Sequence, residues 1–253
     1  MLISINSLAG FTIGATDGDM GKVEEFYFDD TTWKIRYMIV KTGGWLTGRE
    51  VLISPEAILK PDWENKIIPV NLTRKQVENS PDIDTDKPIS RLEEDKLFAY
   101  YPWQSYYDAS LYGDGMGMMG TFPVTPFINN DKLPGEEIDK EPTTKTHLRS
   151  TQELKGYVIH ATDGEIGKVD DFILNKQTWQ IAFIVVKTGN LFSEKKVLIS
   201  PFWIKELKWD IQEVIINVSV EAVKNSPAYD PSKPIESDYA QDLHAHYGFP
   251  ENL

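Results

Sequence analysis

Residues 16–23, Thr-Asp-Gly-Asp-Met-Gly-Lys-Val, return as residues 162–169, Thr-Asp-Gly-Glu-Ile-Gly-Lys-Val. The same offset of about 146 lays residues 8–101 over residues 154–247 without a gap, and roughly 37 of those 94 positions are identical. Val51 to Pro55 recurs as Val197 to Pro201 in the same register. A chain of 253 residues has room for two domains of about 100 residues each, and the repetition makes the count two. The expected units are repeat 1 at 1–101, a linker at 102–150 and repeat 2 at 151–253.

Within a repeat the periodicity is that of strands. Ile35, Tyr37 and Ile39 alternate with Lys34, Arg36 and Met38, and Ile181, Phe183 and Val185 repeat the pattern. Lys22 to Thr42 therefore reads as two strands joined by a polar turn, with Phe11 to Ala15, Arg49 to Ile53 and Lys66 to Leu72 as further strands. Asp17, Gly18 and Gly21, with Asp163, Gly164 and Gly167, are structural turn residues. An Asp before Gly bonds its own backbone, and Gly18 and Gly164 are expected at positive φ or in contacts too close for a side chain. Thr73-x-x-Gln76 and Ser90-x-x-Glu93 are capping boxes that open a short helix and a longer one. Leu97 and Tyr101, like Leu243 and Tyr247, lie one turn apart and form a stripe that packs on the sheet. The fold class expected is mainly β: two tandem small antiparallel β-barrels, each with a short helix and a C-terminal helix.

The linker changes composition. Trp103, Tyr106, Tyr107 and Tyr112 come first, then a Gly-rich run with Met116, Met118 and Met119, then a charged run to Ser150. Its aromatic start favours docking on a barrel. Apolar pairs also sit in polar, Gly-containing turns, Trp45-Leu46 in repeat 1 and Leu191-Phe192 in repeat 2, and something should cover them. Trp45, Leu46, Leu191, Phe192, Trp103, Tyr106 and Tyr107 are thus the interaction candidates, as plugs of their own barrels or as anchors for the other repeat or a second molecule.

Asp17-Gly18-x-x-Gly21-Lys22-Val23, Val51-Leu52-Ile53-Ser54-Pro55 and the tail from Val70 to Tyr101 together resemble the PRC-barrel domain, the family named after the cytoplasmic domain of the photosynthetic reaction centre H subunit. The second tail, Asn225-Ser226-Pro227 to Pro234-Ile235 and then Leu243 to Pro250, is similar to the closing segment of bacterial stand-alone members. The resemblance implies small barrels that dock onto other proteins: the reaction-centre core for the H subunit, a ribosomal protein for the ribosome maturation factor. It brings no catalytic motif. The H subunit also carries a transmembrane helix, for which no apolar run here is long enough.

Composition narrows the function classes. A net charge of −13, from 26 Lys+Arg against 39 Asp+Glu, repels nucleic-acid phosphate, and the basic residues are scattered singly among carboxylates. With no cysteine there is neither disulfide nor thiolate chemistry. Nothing at the N-terminus resembles a signal peptide, so the cytoplasm is expected.

Each candidate for chemistry has a plainer structural explanation. Asp17 or Asp163 supplies one oxygen where calcium takes six to eight. Glu24-Glu25 and Asp170-Asp171 are adjacent on a strand, point to opposite faces and read as solvated charges. His244 and His246, near Asp242, are two residues apart on a helix and do not share a face. The methionines at 116, 118 and 119 have no Cys or His beside them as soft metal ligands. Lys22 and Lys168 follow glycines but open strands, not phosphate-binding helices. No catalytic residue, no metal and no cofactor is expected. The reading is a non-enzymatic adaptor or scaffold that docks an unknown protein partner and self-associates. Its alternative is a regulatory protein that binds a small ligand or ion in the cleft between repeats.

Overall fold

A computed structural model describes residues 1–46, 48–84, 89–105, 146–189, 195–235 and 237–248. Repeat 1 contributes β1 (Leu2–Ser4), β2 (Thr12–Ala15), β3 (Gly18–Asp29), β4 (Ile35–Thr42), β5 (Glu50–Ile53) and β6 (Ile67–Pro69). Then come β7 (Leu148–Ser150), β8 (Val158–Ala161), β9 (Gly164–Asn175), β10 (Gln180–Thr188), β11 (Lys196–Ile199), β12 (Ile204–Lys208) and β13 (Glu213–Ile216). One sheet runs β5-β4-β3-β2-β6 and the other β11-β10-β9-β8-β13-β12. The centre of each is a long hairpin, β3–β4 or β9–β10, bent by bulges that let a 12-residue strand serve different neighbours at its two ends.

Two features depart from the simple meander. Each sheet contains one parallel pair, β2 with β6 and β8 with β13, so the strands are mixed rather than antiparallel throughout. The cause is the crossover after β5 and β11: the 3-10 turns Pro55–Ala57 and Pro201–Trp203 send the chain across to return beside β2 and β8, the strands that precede the long hairpins. The central strands are also buried on both faces past their midpoints. Met38 and Val40, like Tyr37 and Ile39, are almost fully enclosed, which is why strict alternation stops there.

The helices close the units. α1 (Arg74–Glu78) and α2 (Arg91–Tyr100) both open on complete capping boxes, at Thr73/Gln76 and Ser90/Glu93. α3 (Thr151–Leu154) follows β7, and α4 (Val220–Asn225) and α5 (Ser237–Tyr247) are the counterparts of α1 and α2. Leu97, Tyr101, Leu243 and Tyr247 are buried, so the terminal helices lay the expected stripe against the sheets. No described helix is long and apolar enough to cross a membrane.

The repeats exchange strands. β1 opens repeat 1 but pairs with β9 of repeat 2, Leu2 opposite Asn175 and Ser4 opposite Ile173. β7 precedes repeat 2 but pairs with β3 of repeat 1, Leu148 opposite Asp29 and Ser150 opposite Tyr27. Leu2 and Leu148 are themselves equivalent under the repeat offset, so the exchange is reciprocal. Between the two sheets the hairpin turns trade main-chain bonds: Ile35 N–H donates to Trp179 O at 2.8 Å and Ile181 N–H to Trp33 O at 2.8 Å. Both tryptophans make this possible in the left-handed region, at φ 58° and 56°, a conformation that costs a bulky residue about 1–2 kcal/mol. Phe28 and Phe172 meet across the seam with ring centroids 6.2 Å apart, and the buried apolar residues of both repeats form one continuous cluster.

Candidate functional site

Most of the residues singled out for chemistry hold the fold. Asp17 Oδ1 accepts the Arg74 N–H at 2.8 Å, and Asp163 Oδ1 accepts the Val220 N–H at 2.7 Å. The expected bond to their own backbone is replaced by one that ties the hairpin loop to the first turn of α1 or α4, satisfying a donor that has no intrahelical partner. Of the turn glycines, Gly18 has φ +134°, whereas Gly164 only meets Val220 Cγ2 at 3.3 Å. The tightest approach belongs to Gly21 and Gly167, where a Cβ would lie 2.2 Å from the carbonyl oxygen of Lys41 or Lys187.

The acid pairs divide in function. Glu24 and Asp170 face solvent and pair with Lys41 at 3.4 Å and Lys196 at 2.7 Å. Their neighbours are not solvated charges, because the exchanged strands bring a serine onto each. Ser4 Oγ donates to Asp171 Oδ2 at 2.5 Å, and Ser150 Oγ donates to Glu25 Oε2 at 3.1 Å. Asp171 also accepts the Asn6 N–H at 3.1 Å. Burial pushes the Glu25 carboxyl above its ordinary range, against the lowering effect of Ser150. Asp29 at the hairpin turn is buried too, but bonds from Thr31 and Thr32 and the nearby Arg36 outweigh desolvation and hold it below its usual value.

His246 Nε2–H donates to the Ala222 carbonyl at 2.7 Å, the same tether that Tyr100 makes to Gln76 O in repeat 1. That nitrogen is occupied. His244 lies on α5, and among the described residues no three His, Cys, Asp or Glu side chains converge as a metal site.

Of the aromatic candidates, Trp103 is buried, stacks on Tyr101 with centroids 4.0 Å apart and tilts against Tyr37 at 6.5 Å. Leu46 is half-buried against its own repeat's core, on the 3-10 turn Gly44–Leu46 that also carries Trp45. Leu191, Phe192, Tyr106, Tyr107, Tyr112 and the three linker methionines lie outside the described residues.

Three concavities are relevant to binding. Two lie at the seam, and each has one of the left-handed tryptophans in its wall. One, of about 500 Å³, runs between Trp33 and His147 on one side and Phe202 and β12 on the other. Its counterpart, of about 220 Å³, lies between Trp179 and the turn at Pro55 and Glu56, and Gln104 reaches into it. Gln104 N–H donates to Glu56 Oε2 at 3.1 Å, so the segment after α2 covers part of this second groove.

The third concavity is confined to repeat 2. After α4 the chain passes from Pro227 through a turn at residues 230–233 to Ile235, held against the outer side of β11 by the Tyr229 N–H bond to Lys196 O at 2.8 Å. Tyr229, Asp230, Lys233, Pro234, Ile235 and Tyr239 line a cleft of about 400 Å³ there. Tyr239 O–H donates to Pro227 O at 3.4 Å. Burial pushes the Tyr239 phenol up to about 12 and Tyr229 in the same direction, so both stay neutral donors at neutral pH. The cleft offers an apolar floor with polar tips. It was missed because Tyr229 and Tyr239 stand ten residues apart in different elements; the signal was their mismatch with Ile83 and Glu93 at the equivalent positions of repeat 1.

The model of the PRC-barrel domain matches residues 2–77 and, separately, residues 151–218. No curated protein matches the chain. The matched segments take in both hairpins, both crossovers and the parallel pair of each sheet, over more than half of the sequence. This chain belongs to the PRC-barrel domain family and carries the domain twice.

Proposed function

We propose that this protein is a non-enzymatic cytoplasmic adaptor whose two sheets close as PRC-type barrels and whose second repeat docks a segment of another protein. The observation that carries the reading is the tyrosine cleft of repeat 2. Tyrosine presents a large rigid apolar ring with one polar tip, the combination that recurs at protein interfaces. Asp230 is already engaged by Ser232, whose N–H and Oγ donate at 3.0 and 2.7 Å, so it shapes the turn instead of repelling an acceptor. The cleft fits an extended segment that buries an apolar side chain between the rings, offers a backbone carbonyl to the Tyr229 phenol and a backbone N–H to the Tyr239 oxygen, whose own O–H is held by Pro227 O.

The test is retention of proteins from the native host on the immobilised full chain, compared with a Tyr229→Ala, Ile235→Ser variant whose circular dichroism is unchanged. A protein retained by the wild type and lost by the variant supports docking at the cleft. The second reading, a small ligand at the seam, is favoured by the paired grooves beside Trp33 and Trp179. A metabolite or metal ion that raises the melting temperature in proportion to its concentration, with no cleft-dependent protein, would favour that reading instead.

A further inference from the structure

The two repeats differ at one sheet edge. In repeat 2 the crossover is followed by a true strand, β12, which pairs antiparallel with β13 and is the last strand of its sheet. In repeat 1 the equivalent residues make only isolated bridges, Ile58 with Val70 and Asp62 with Ile67. Pro61 stands where repeat 2 has Leu207; because the adjacent Asp62 and Ile67 exchange both their bonds, the nitrogen of residue 61 faces away from β6, and proline there withholds a donor from the outer edge. Repeat 1 thus has the usual protection of an edge, and repeat 2 lacks that proline. Among the described residues no strand pairs with the outer side of β12. The groove of about 500 Å³ beside it has the consecutive residues Ile204, Lys205, Glu206 and Leu207 as one wall and Trp33 and His147 as the other, so a strand that pairs with this edge enters alongside the repeat 1 hairpin turn.

The sequence of that edge is complementary to itself. Residues 202–209 read Phe-Trp-Ile-Lys-Glu-Leu-Lys-Trp. Against a second copy running antiparallel about a two-fold axis between Lys205 and Glu206, Lys205 faces Glu206 twice, Ile204 faces Leu207 twice, and Phe202 faces Trp209 twice. The register irregularity between Ile204 and Glu206 makes Lys205 the extra residue. Ile204 and Leu207 consequently both turn toward the core while Lys205 and Glu206 are both exposed. Apolar side chains therefore meet on one face and opposite charges on the other, the arrangement that stabilises cross-strand pairs. Phe202, at 60% exposure, adds an apolar end to the patch.

We propose that two copies of this chain associate through antiparallel pairing of their β12 edges, joining the second sheets of both into one. The contact is isologous and closes at two. It uses a surface separate from the tyrosine cleft, so either can fail without the other.

The experiment is the mass of the full chain by light scattering and sedimentation from about 1 to 200 µM. The expected result is a concentration-dependent species of twice the 28.8 kDa chain mass. Lys205→Glu and Glu206→Lys each place two like-charge pairs at the axis and are expected to weaken the dimer about tenfold or more. Combining them restores opposite charges and should return the dimer. Leu207→Pro, which installs the residue that repeat 1 tolerates at the same place, is expected to abolish it while the melting temperature of the monomer stays close to the wild type. A monomer throughout the range would mean that lysine and the bulge blunt the edge, and a dimer indifferent to the charge swap would mean that another surface pairs. Either result overturns the proposal.

Discussion

Replacing Gly21 by alanine tests the close approach at the root of the long hairpin. A Cβ there would lie 2.2 Å from Lys41 O, 2.8 Å from Lys41 C and 2.9 Å from Thr42 Cα. All three atoms are backbone, so no side chain can swing aside, and β3 and β4 would have to part by about 1 Å at the Gly21–Thr42 pair. Overpacking of this kind costs roughly 1–3 kcal/mol, and each ladder bond weakened adds about 1 kcal/mol. A loss of about 3 kcal/mol is expected, which for a chain of this size lowers the melting temperature by roughly 6–12 °C.

The duplication supplies the controls. At Gly167 the same atoms of Lys187 and Thr188 stand at 2.2, 3.0 and 2.8 Å, so Gly167→Ala should match Gly21→Ala in thermal melts followed by circular dichroism. Gly164→Ala meets only one methyl at 3.3 Å and should stay within about 0.5 kcal/mol of the wild type. Gly18→Ala falls between: φ +134° is strained for alanine, but its nearest neighbour is the movable Arg74 guanidinium at 3.0 Å. If Gly164→Ala were as damaging as Gly167→Ala, or Gly21→Ala melted within about 2 °C of the wild type, backbone proximity would not be what these glycines provide.

Glu25→Gln should stabilise the protein at pH 7 and not at pH 4. The raised Glu25 carboxyl leaves folding unpenalised below its unfolded value and increasingly penalised as pH rises through its folded one, and glutamine removes the penalty while still accepting from Ser150. Urea melts of both proteins at the two pH values measure this, and an equal gain at both would contradict burial as the cause. Asp17→Ala removes the acceptor of the Arg74 N–H and should cost about 1 kcal/mol, or about 2–4 °C. Asp163→Ala should do the same through Val220, and no change in either melt would mean that these bonds are worth nothing net.

How much of this was legible in the sequence depended on distance along the chain. The hairpins, the capping boxes and the buried stripe of the terminal helices rest on neighbours within a few residues and could be read directly. Membership of the PRC-barrel domain family could be read too, because its motifs are local. The strand exchange could not. β1 and β7 are three residues each, too short for a period to register, and Ser4 meets Asp171 across 167 positions. The bond from Asp17 to the start of α1 spans 57 positions, so local turn chemistry supplied a plausible but incorrect partner. Trp33 and Trp179 sit in a backbone region that tryptophan disfavours; each closes its own hairpin turn, Trp33 N–H onto Asp29 O and Trp179 N–H onto Asn175 O, and turns its carbonyl to the other repeat across the seam. Glu25 and Asp171 looked like surface charge for the same reason: the serines that hold them arrive from the other repeat.

Where the repeats differ, the kind of difference separates folding from function. In the core of repeat 1, Tyr37 O–H donates to Glu94 Oε1 at 3.3 Å, both groups buried; repeat 2 has Phe183 and Ala240 at those positions. Both partners changed together, so a hydrogen-bonded polar pair became an apolar one and no polar group was left alone, the kind of exchange that a core accepts at little cost. The surface differences have no such compensation within the chain. Phe202 stands mostly exposed where Glu56 receives Gln104 in repeat 1. Leu207 permits a strand edge that Pro61 forbids, and Tyr229 opens a cleft where Ile83 is simply buried. Folding accounts for the compensated substitutions. Repeat 1 has exposed apolar residues of its own, Leu59 and Leu92, but the differences that open a strand edge and a cleft lie on repeat 2, which is why both proposed contacts, a second copy at β12 and a foreign segment at the tyrosines, fall on that half of the molecule.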